Sequence, residues 1–347
     1  MPNPEPDRSV PIAEVIEQVG VARAIQIKHV ASVLYTYRCT LRCRHCLFNC
    51  APDRPNVHVS LEDGLDFLRQ LHATGRCIHI AGGEALMYYH EVLELCREAD
   101  REGIAPHFIE TNATWCVNGD VARKRLLELQ DAGVQGLLIS ACPHHQHECP
   151  PERFRTCYET AVEVFGDRNV ASSDVPMETL RNYHEIAMDD EKLGEYVRLN
   201  NPCLVGRAGE RLARYLPERP IDDLAHDSMW KGASEDASCR KEFDGHDMWE
   251  IHIDPYGNYQ TCCGIIFGNT KNESLAEVLE RGVHTANPLT AAVHAKGPMG
   301  LLEIAVEKGY QPREGYQQKC GMCWEIRKFL RPFYPDILGP AEIYQGD

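Results

Sequence analysis

Several features are missing from this sequence, and each absence removes a class of protein. The 347 residues contain no apolar signal core in the N-terminal "MPNPEPDRSVP" and no run near the ~20 apolar residues of a membrane-spanning helix. Basic residues are scarce, with 36 Lys and Arg against 52 Asp and Glu, which gives a net charge of −16. So acidic a surface repels phosphate backbones and anionic lipid, and we predict neither nucleic-acid nor membrane binding. We therefore expect a cytoplasmic protein whose 16 cysteines are thiols and metal ligands rather than disulfides.

The densest cysteine group is the segment "CTLRCRHC", which contains Cys39, Cys43 and Cys46. It follows the apolar run "VASVLYTYR", which predicts a buried strand, so the cysteines fall on a loop at the strand's C-terminal end. Thiolates are the usual ligands of iron–sulfur clusters, and a cubane cluster normally takes four. Three close cysteines therefore indicate a cluster with one iron open to another ligand. A zinc site is the alternative, with His45 or Cys50 as its fourth ligand.

Three further apolar runs end in polar motifs. The second predicted strand ends at Gly82-Gly83-Glu84, the third at Asn112 and the fourth at Ser140. The strands alternate with amphipathic helices, a pattern that predicts parallel βαβ units whose ligands gather at the C-terminal strand ends. A cysteine triad after the first strand and Gly-Gly-Glu after the second together resemble the radical S-adenosylmethionine (SAM) enzymes.

The resemblance covers about residues 30–210 and implies an α/β fold, a partial (β/α)6 barrel that is open on one side. The sequence predicts a fifth strand at Asn169–Ser173 and a sixth at Cys203–Arg207. The helices are predicted at Leu61–Ala73 (with Ser60 as N-cap), His90–Glu102, Asp120–Ala132, Pro151–Phe165 and Glu185–Leu199.

The resemblance also implies the cofactors. A 4Fe-4S cluster would be held by Cys39, Cys43 and Cys46, and SAM would bind its open iron. One electron from the cluster then cleaves SAM, and the resulting 5′-deoxyadenosyl radical takes a hydrogen atom from the substrate. Arg207 is a candidate for the polar end of SAM, although a surface salt bridge explains it equally well. The positions that match SAM contacts of the family are His45, Gly82, Gly83, Glu84, Asn112, Ser140 and Arg207.

The segment "ACPHHQHEC" after the fourth strand is rich in cysteine and histidine. We expect a polar loop at the substrate pocket, where His144 and His145 move a substrate proton and Cys142 donates a hydrogen atom. A third metal site is the alternative.

Cysteines recur in the last third of the chain as Cys239, Cys262 and the pair Cys320 and Cys323. This pattern resembles the twitch domain, the shorter relative of the SPASM domain. It consists of a lone cysteine, a hairpin with "GNYQTC", a long gap and Cys-x-x-Cys. The resemblance implies one auxiliary 4Fe-4S cluster with these four ligands, and Cys263 is an alternative to Cys262. A full SPASM domain needs further cysteines, and none follow the last pair. A four-cysteine zinc site is the other interpretation.

These patterns predict a domain organisation that is continuous along the chain. A partly disordered N-terminal extension precedes the barrel, a polar, turn-rich linker follows it, and a tail follows the auxiliary domain. The predicted segments are the extension 1–29, the barrel 30–210, the linker 211–238, the twitch/SPASM-like domain 239–325 and the tail 326–347.

Three functions fit the sequence. The first is a radical SAM oxidoreductase whose auxiliary cluster takes the electron during net oxidation or crosslinking of a peptide or peptide-like substrate. The second is a radical SAM dehydrogenase of a small polar, sugar-like metabolite. Both need an electron donor, a flavodoxin or a ferredoxin. The third is a non-catalytic iron–sulfur electron carrier or zinc-binding module, which predicts no SAM cleavage.

Overall fold

The computed structural model describes residues 10–173, 180–224, 227, 238–245 and 247–346. The chain divides into two compact units, and each is assembled from three segments rather than from one continuous stretch. The first, which we call the sheet unit, comprises Met1–Thr40, Asn56–His184 and Glu250–Gly257. The second, which we call the cysteine unit, comprises Leu41–Pro55, Glu185–Trp249 and Asn258–Asp347.

The elements of the described residues have the following bounds. The strands are β1 (Val30–Leu34), β2 (Cys77–Ala81), β3 (Phe108–Thr111), β4 (Gly136–Ser140), β5 (Val170–Ser173), β6 (Arg219–Pro220), β7 (Glu250–Ile253), β8 (Asn258–Thr261), β9 (Ile265–Asn269) and β10 (Gly315–Tyr316). The first α-helices are α1 (Ile12–Val19), α2 (Val21–Ile27), α3 (Leu61–His72), α4 (Tyr89–Arg101), α5 (Gly119–Gln130), α6 (Pro143–Gln146), α7 (Pro151–Phe165), α8 (Leu180–Met188) and α9 (Asp190–Asn200). The later ones are α10 (Arg207–Arg211), α11 (Ile221–Leu224), α12 (Cys239–Glu242), α13 (Leu275–Arg281), α14 (Pro288–Lys296), α15 (Pro298–Glu307), α16 (Lys319–Leu330) and α17 (Ala341–Tyr344).

The sheet unit contains parallel strands in the order β5-β4-β3-β2-β1-β7. Strands β1 to β5 lie where the apolar runs predict them. Because every neighbouring pair is parallel, all C-terminal ends meet at one edge, where the cysteine loop and the Gly-Gly-Glu turn begin. The predicted α/β class with a mainly parallel sheet is confirmed.

The sixth parallel strand is not the predicted one. Residues 201–205 form neither helix nor strand, and Arg207 begins helix α10, so the predicted strand Cys203–Arg207 is wrong. Gly206 has a φ of 60°, and a Cβ added there would lie 2.3 Å from the carbonyl oxygen of Leu47, so the chain turns at this point. The sixth strand is β7, which pairs with β1 from Val30–Glu250 to Val33–Ile253.

Helices α3, α4, α5 and α7 begin and end within two residues of their predicted bounds. Helix α3 begins after Ser60, whose hydroxyl accepts a hydrogen bond from the Asp63 amide, as expected of an N-cap. The predicted helix Glu185–Leu199 is divided into α8 and α9, because the Asp189 carboxylate caps the amides of Glu191 and Lys192 and starts a new helix.

One face of the parallel sheet is apolar. Val33, Ile80 and Ile109 are registered neighbours on β1, β2 and β3, and Ile253 of β7 is paired with Val33. All four are fully buried, and burial of each such side chain contributes roughly 1.5–3 kcal/mol. The opposite face is polar and is described below.

In the cysteine unit, β8 and β9 form an antiparallel pair joined by a turn that contains Cys262 and Cys263. Both cysteines have positive φ, 48° and 51°. Helix α16 begins at Lys319 and carries Cys320 and Cys323 in its first turns.

Two predictions fall wholly or partly outside the described residues. They are disorder at the N-terminus, at residues 1–9, and much of the linker, at residues 225–226 and 228–237. In the described part of the chain, no helix has both the length and the apolar character needed to cross a membrane.

Candidate functional site

Gly82 and Gly83 bring the end of β2 against the chain that leads into the cysteine loop. The amide of Gly83 donates a hydrogen bond to the carbonyl oxygen of Thr36 at 2.7 Å. A Cβ added at Gly83 would lie 1.9 Å from the carbonyl oxygen of Arg38, and one added at Gly82 would lie 2.6 Å from that of Thr36. Backbone therefore packs directly on backbone, and only glycine allows this approach.

We expect Gly83→Ala to destabilise the protein by about 1–3 kcal/mol, because the added methyl group must displace the backbone before Cys39. The measurement is thermal unfolding monitored by circular dichroism. Gly119→Ala is the matched control, since a Cβ there meets no atom within 4 Å. Equal melting temperatures of the two variants would contradict the packing role of Gly83.

Glu84 ties the end of β2 to the end of β3. Its carboxylate is buried and accepts hydrogen bonds from the Thr111 hydroxyl at 2.9 Å and the Asn112 amide at 2.7 Å. The Leu86 amide donates a third, at 3.2 Å. Burial raises the pKa of Glu84 to about 7, although these hydrogen bonds oppose the shift. The carboxylate thus organises two strand ends, and its predicted contact with SAM stays a prediction.

Asn112 joins β3 to the cysteine loop. Its side-chain amide donates to Cys39 Sγ at 3.4 Å and to Thr40 Oγ1 at 3.0 Å. Cys39 is buried, and N–H donors to sulfur are typical of the cysteine ligands of iron–sulfur clusters. The sheet unit therefore brings together Cys39, Gly83, Glu84 and Asn112, and their predicted roles as ligand and SAM contacts stay predictions.

Arg207 holds the second half of the cysteine loop. Its guanidinium donates to the carbonyl oxygens of Cys43 and Cys50 at 3.1 Å and of Asn49 at 3.2 Å. Its backbone amide donates to the carbonyl oxygen of Cys46 at 2.9 Å. Only 1% of this residue is exposed, so the alternative of a surface salt bridge is wrong. The planar fork of arginine suits several carbonyls at once.

The positive charge of Arg207 also acts on Cys46 and His45. A hydrogen bond from the Cys50 side chain, together with the charge of Arg207, lowers the pKa of Cys46 to about 6 despite burial. The Cys50 amide also lies 3.3 Å from Cys46 Sγ and donates to it. Burial, and secondarily Arg207, lower the pKa of His45 to about 4, so this imidazole is neutral at pH 7.

The residues after β4 form a short buried helix, α6, so the expected polar loop is wrong at Pro143–Gln146. Cys142 Sγ lies 3.1 Å from His145 Nδ1, and His144 is buried as well. Ser140 Oγ donates to Glu110 Oε1 at 2.8 Å. The assigned roles of these residues stay predictions.

The four cysteines of the predicted auxiliary site all lie in the cysteine unit and influence one another. Burial raises the pKa of Cys239 to about 12, and nearby Cys320 and Cys323 contribute. Burial also raises the pKa of Cys262 well above its usual range. Glu242, Cys239 and Cys323 add to this second shift. The structure thus brings the four predicted ligands together.

Two neighbours of this group are absent from the sequence-based site. Arg327 is buried, and its guanidinium donates to the carbonyl oxygens of Cys262 at 2.9 Å and Cys263 at 3.2 Å. A hydrogen bond with Cys203 is the largest cause of the raised pKa of Cys320. Helical spacing could have identified Arg327, because it lies seven and four positions after the cysteine pair on α16.

Comparison with known proteins identifies the domain. Residues 33–141 match the Radical SAM superfamily, and no curated protein sequence matches the chain. A crystal structure of BtrN in complex with AdoMet and 2-DOIA is similar at 14% identity and a TM-score of 0.44, over 77% of this chain and 86% of that one. Selenomethionine BtrN in an open conformation is similar at 11% identity and a TM-score of 0.37, over 84% and 96%.

The chain therefore contains a radical SAM domain, which makes it an iron–sulfur enzyme. Such a domain implies a 4Fe-4S cluster and SAM as cofactors. The matched range contains all three cysteines of the loop and ends before the second cysteine group.

Proposed function

We propose that this chain is a radical SAM oxidoreductase that removes two electrons from a small polar substrate. One observation carries the proposal. Two separate groups of cysteines each lie against a buried arginine, Arg207 for the first and Arg327 for the second, whose guanidinium is fixed on the carbonyls of the cysteine segment. Two cluster sites in one chain are what a net oxidation after hydrogen abstraction requires.

The first group suits a 4Fe-4S cluster with three protein ligands. Cys39 and Cys46 accept N–H hydrogen bonds at sulfur, from Asn112 and from the Cys50 amide, as thiolate ligands of clusters do. The parallel strands of the sheet unit support a partial (β/α)6 barrel, and Cys39 follows the C-terminal end of its strand β1.

The second group suits a twitch-like auxiliary 4Fe-4S cluster with ligands Cys239, Cys262, Cys320 and Cys323. Arg327 is a buried cation beside these sulfurs, and it offsets the negative charge that four thiolates bring into a buried site. The backbone of the β8–β9 turn is held by the same guanidinium, which fixes the position of Cys262.

When bound, the first cluster and SAM supply a 5′-deoxyadenosyl radical that takes a hydrogen atom, and the auxiliary cluster supplies an exit for the next electron. The chain's own residues position the reactants. His45, Ser140 and Asn112 would contact SAM when it is bound, and His144 or His145 would take the substrate proton, with Cys142 beside His145. One hydrogen atom, one electron and one proton leave the substrate, which balances a two-electron oxidation.

The substrate class differs from the preference drawn from sequence. A peptide substrate finds no support in the comparisons. The polar face of the sheet, with His79 and Glu110 on adjacent strands, favours the alternative, a small polar metabolite. The reductant that a radical SAM enzyme requires would be a flavodoxin or a ferredoxin.

The test is anaerobic reconstitution with iron and sulfide, reduction with dithionite and addition of SAM. We expect about eight irons per chain, four for each cluster, and release of 5′-deoxyadenosine. A fully loaded and reduced sample that leaves SAM intact would refute the proposed function.

Arg327 should set the potential of the auxiliary cluster. We expect Arg327→Met to lower its midpoint potential by on the order of 100 mV, the Coulomb effect of one charge several ångströms away at an effective dielectric of ~20. Arg327→Lys keeps the charge and should restore most of the potential. The measurement is a redox titration followed by electron paramagnetic resonance, and equal potentials of wild type and Arg327→Met would contradict this role.

A further inference from the structure

The face of the parallel sheet opposite the apolar one carries polar side chains on neighbouring strands. Ser32 of β1 is in register with His79 of β2 and with His252 of β7. Parallel partners in register point to the same face, and so do residues two apart on one strand. His79 is in register with Phe108, which places Glu110 on this face too.

Two more residues extend the row. Glu250 lies two residues before His252 on β7, and Ser140 lies two residues after Leu138, the partner of Glu110 on β4. The hydroxyl of Ser140 donates to Glu110 at 2.8 Å, and that of Ser32 lies 2.6 Å from His252 Nδ1. We call this set of residues the polar face: Ser32, His79, Glu110, Ser140, Glu250 and His252.

His79 lies between two carboxylates without a direct hydrogen bond to either. Its Nε2 is 3.6 Å from Glu250 Oε1 and 4.0 Å from Glu110 Oε2. Burial lowers the pKa of His79 to about 3, so the ring is neutral and these contacts are not ion pairs. Its Nδ1 is buried and has no hydrogen-bond partner among the described residues. Buried polar atoms are normally satisfied, so this ring has capacity for a ligand.

The carboxylates of the polar face reach solvent, whereas its imidazoles do not. Glu110 and Glu250 keep 40% and 30% of their side-chain exposure, whereas His79 and His252 keep 5% and 8%. Burial nevertheless raises the pKa of Glu110. Glu110 and Glu250 can therefore meet a molecule that arrives from solvent, and the buried imidazoles of His79 and His252 lie on the same face of the sheet.

A purely structural role does not account for this face. Strands of a parallel sheet are usually apolar on both faces, and buried polar groups cost free energy unless they find partners. A bound polar molecule supplies a partner for the buried Nδ1 of His79, and so offsets the cost of keeping this imidazole on the sheet.

We propose that the polar face binds the substrate, and that this substrate is a small molecule with hydroxyl groups and a protonated amine. Two carboxylates, Glu110 and Glu250, match one ammonium group by charge-assisted hydrogen bonds. Neutral His79 and His252, with Ser32, offer both donors and acceptors to hydroxyl groups. The inference deepens the proposed function and rests on it for the reaction, although binding is tested independently.

The experiment is isothermal titration calorimetry of the anaerobic holoenzyme with SAM present. The probes are two matched pairs, D-glucosamine with D-glucose and serinol with glycerol, and the peptide Gly-Lys-Gly. We expect at least one amine to bind about tenfold or more tightly than its hydroxyl-only partner, the effect of one charge-assisted contact. Glu110→Gln and Glu250→Gln should each remove this preference.

Glu163→Gln is the control, because Glu163 is an exposed residue of α7 that pairs with Arg123; it should keep the preference. Circular dichroism establishes that each variant folds, and two independent variants keep the test valid if one does not. The proposal is overturned if amines and alcohols bind alike, if no probe binds, if the peptide binds best, or if the Gln variants behave like wild type. Failure of SAM cleavage, by contrast, would refute the proposed function but would not affect the conclusion from these binding measurements.

Discussion

Replacement of Cys43 by alanine is expected to abolish 5′-deoxyadenosine formation, a loss of roughly a thousandfold or more. Cys43 is a predicted ligand of the first cluster, and a buried cluster with only two thiolates is not retained. Iron content should fall from about eight to about four per chain, since the auxiliary ligands are intact. The measurements are iron analysis and chromatography of the SAM cleavage products after dithionite reduction.

Cys96→Ala is the matched control for this experiment. Cys96 is a fully buried thiol of helix α4 that belongs to neither predicted ligand set, and we expect it to act as a small apolar residue. Its removal should leave both iron content and SAM cleavage unchanged. Full iron loading and normal SAM cleavage in Cys43→Ala would contradict the presence of the first cluster.

Replacement of Cys262 by alanine is expected to separate SAM cleavage from product formation. The auxiliary cluster should be lost, with about four irons remaining, while 5′-deoxyadenosine still forms because the first cluster is untouched. Oxidised product should fall by roughly a hundredfold or more, since the substrate-derived electron has no exit within the chain. The measurements are iron analysis, 5′-deoxyadenosine release and mass spectrometry of the oxidised substrate.

Cys263→Ala is the neighbouring control and decides between the two adjacent cysteines. Cys262 is the expected ligand because it fits the spacing of glycine, four residues and cysteine in "GNYQTC". Cys263→Ala should keep both clusters. If Cys263→Ala loses four irons and Cys262→Ala does not, the ligand assignment is reversed; if neither variant loses iron, the auxiliary cluster is absent.

The order of strands and helices in the sheet unit was predictable because its signals are local. Five-residue apolar runs such as "CIHIA" alternate with amphipathic helices, and Ser60 marks the start of α3. Strand β7 was not predictable in its place, since its partner β1 lies about 220 residues earlier in the chain. Nothing in "EIHI" specifies which strand it pairs with, and pairing across such separations depends on tertiary packing.

The cysteine ligands were visible in the sequence because cluster chemistry restricts both residue type and spacing. The role of the two supporting arginines was not visible in the same way. Arg207 and Arg327 are buried on backbone carbonyls, whereas most arginines are exposed. The only signal for Arg327 was its helical spacing from the cysteine pair. His79 and His252 did leave a signal: each is a polar residue between two isoleucines of a strand, which places both on one face.

We infer above all that one iron of the first cluster binds SAM as its ligand. The direct test is electron paramagnetic resonance and electron–nuclear double resonance of reduced Cys262→Ala, which should hold only that cluster, with SAM labelled with 15N at the methionine amino group. The account predicts a changed spectrum on addition of SAM and a hyperfine coupling to the 15N nucleus. An unchanged spectrum without coupling, or zinc in place of iron in this segment, would contradict it.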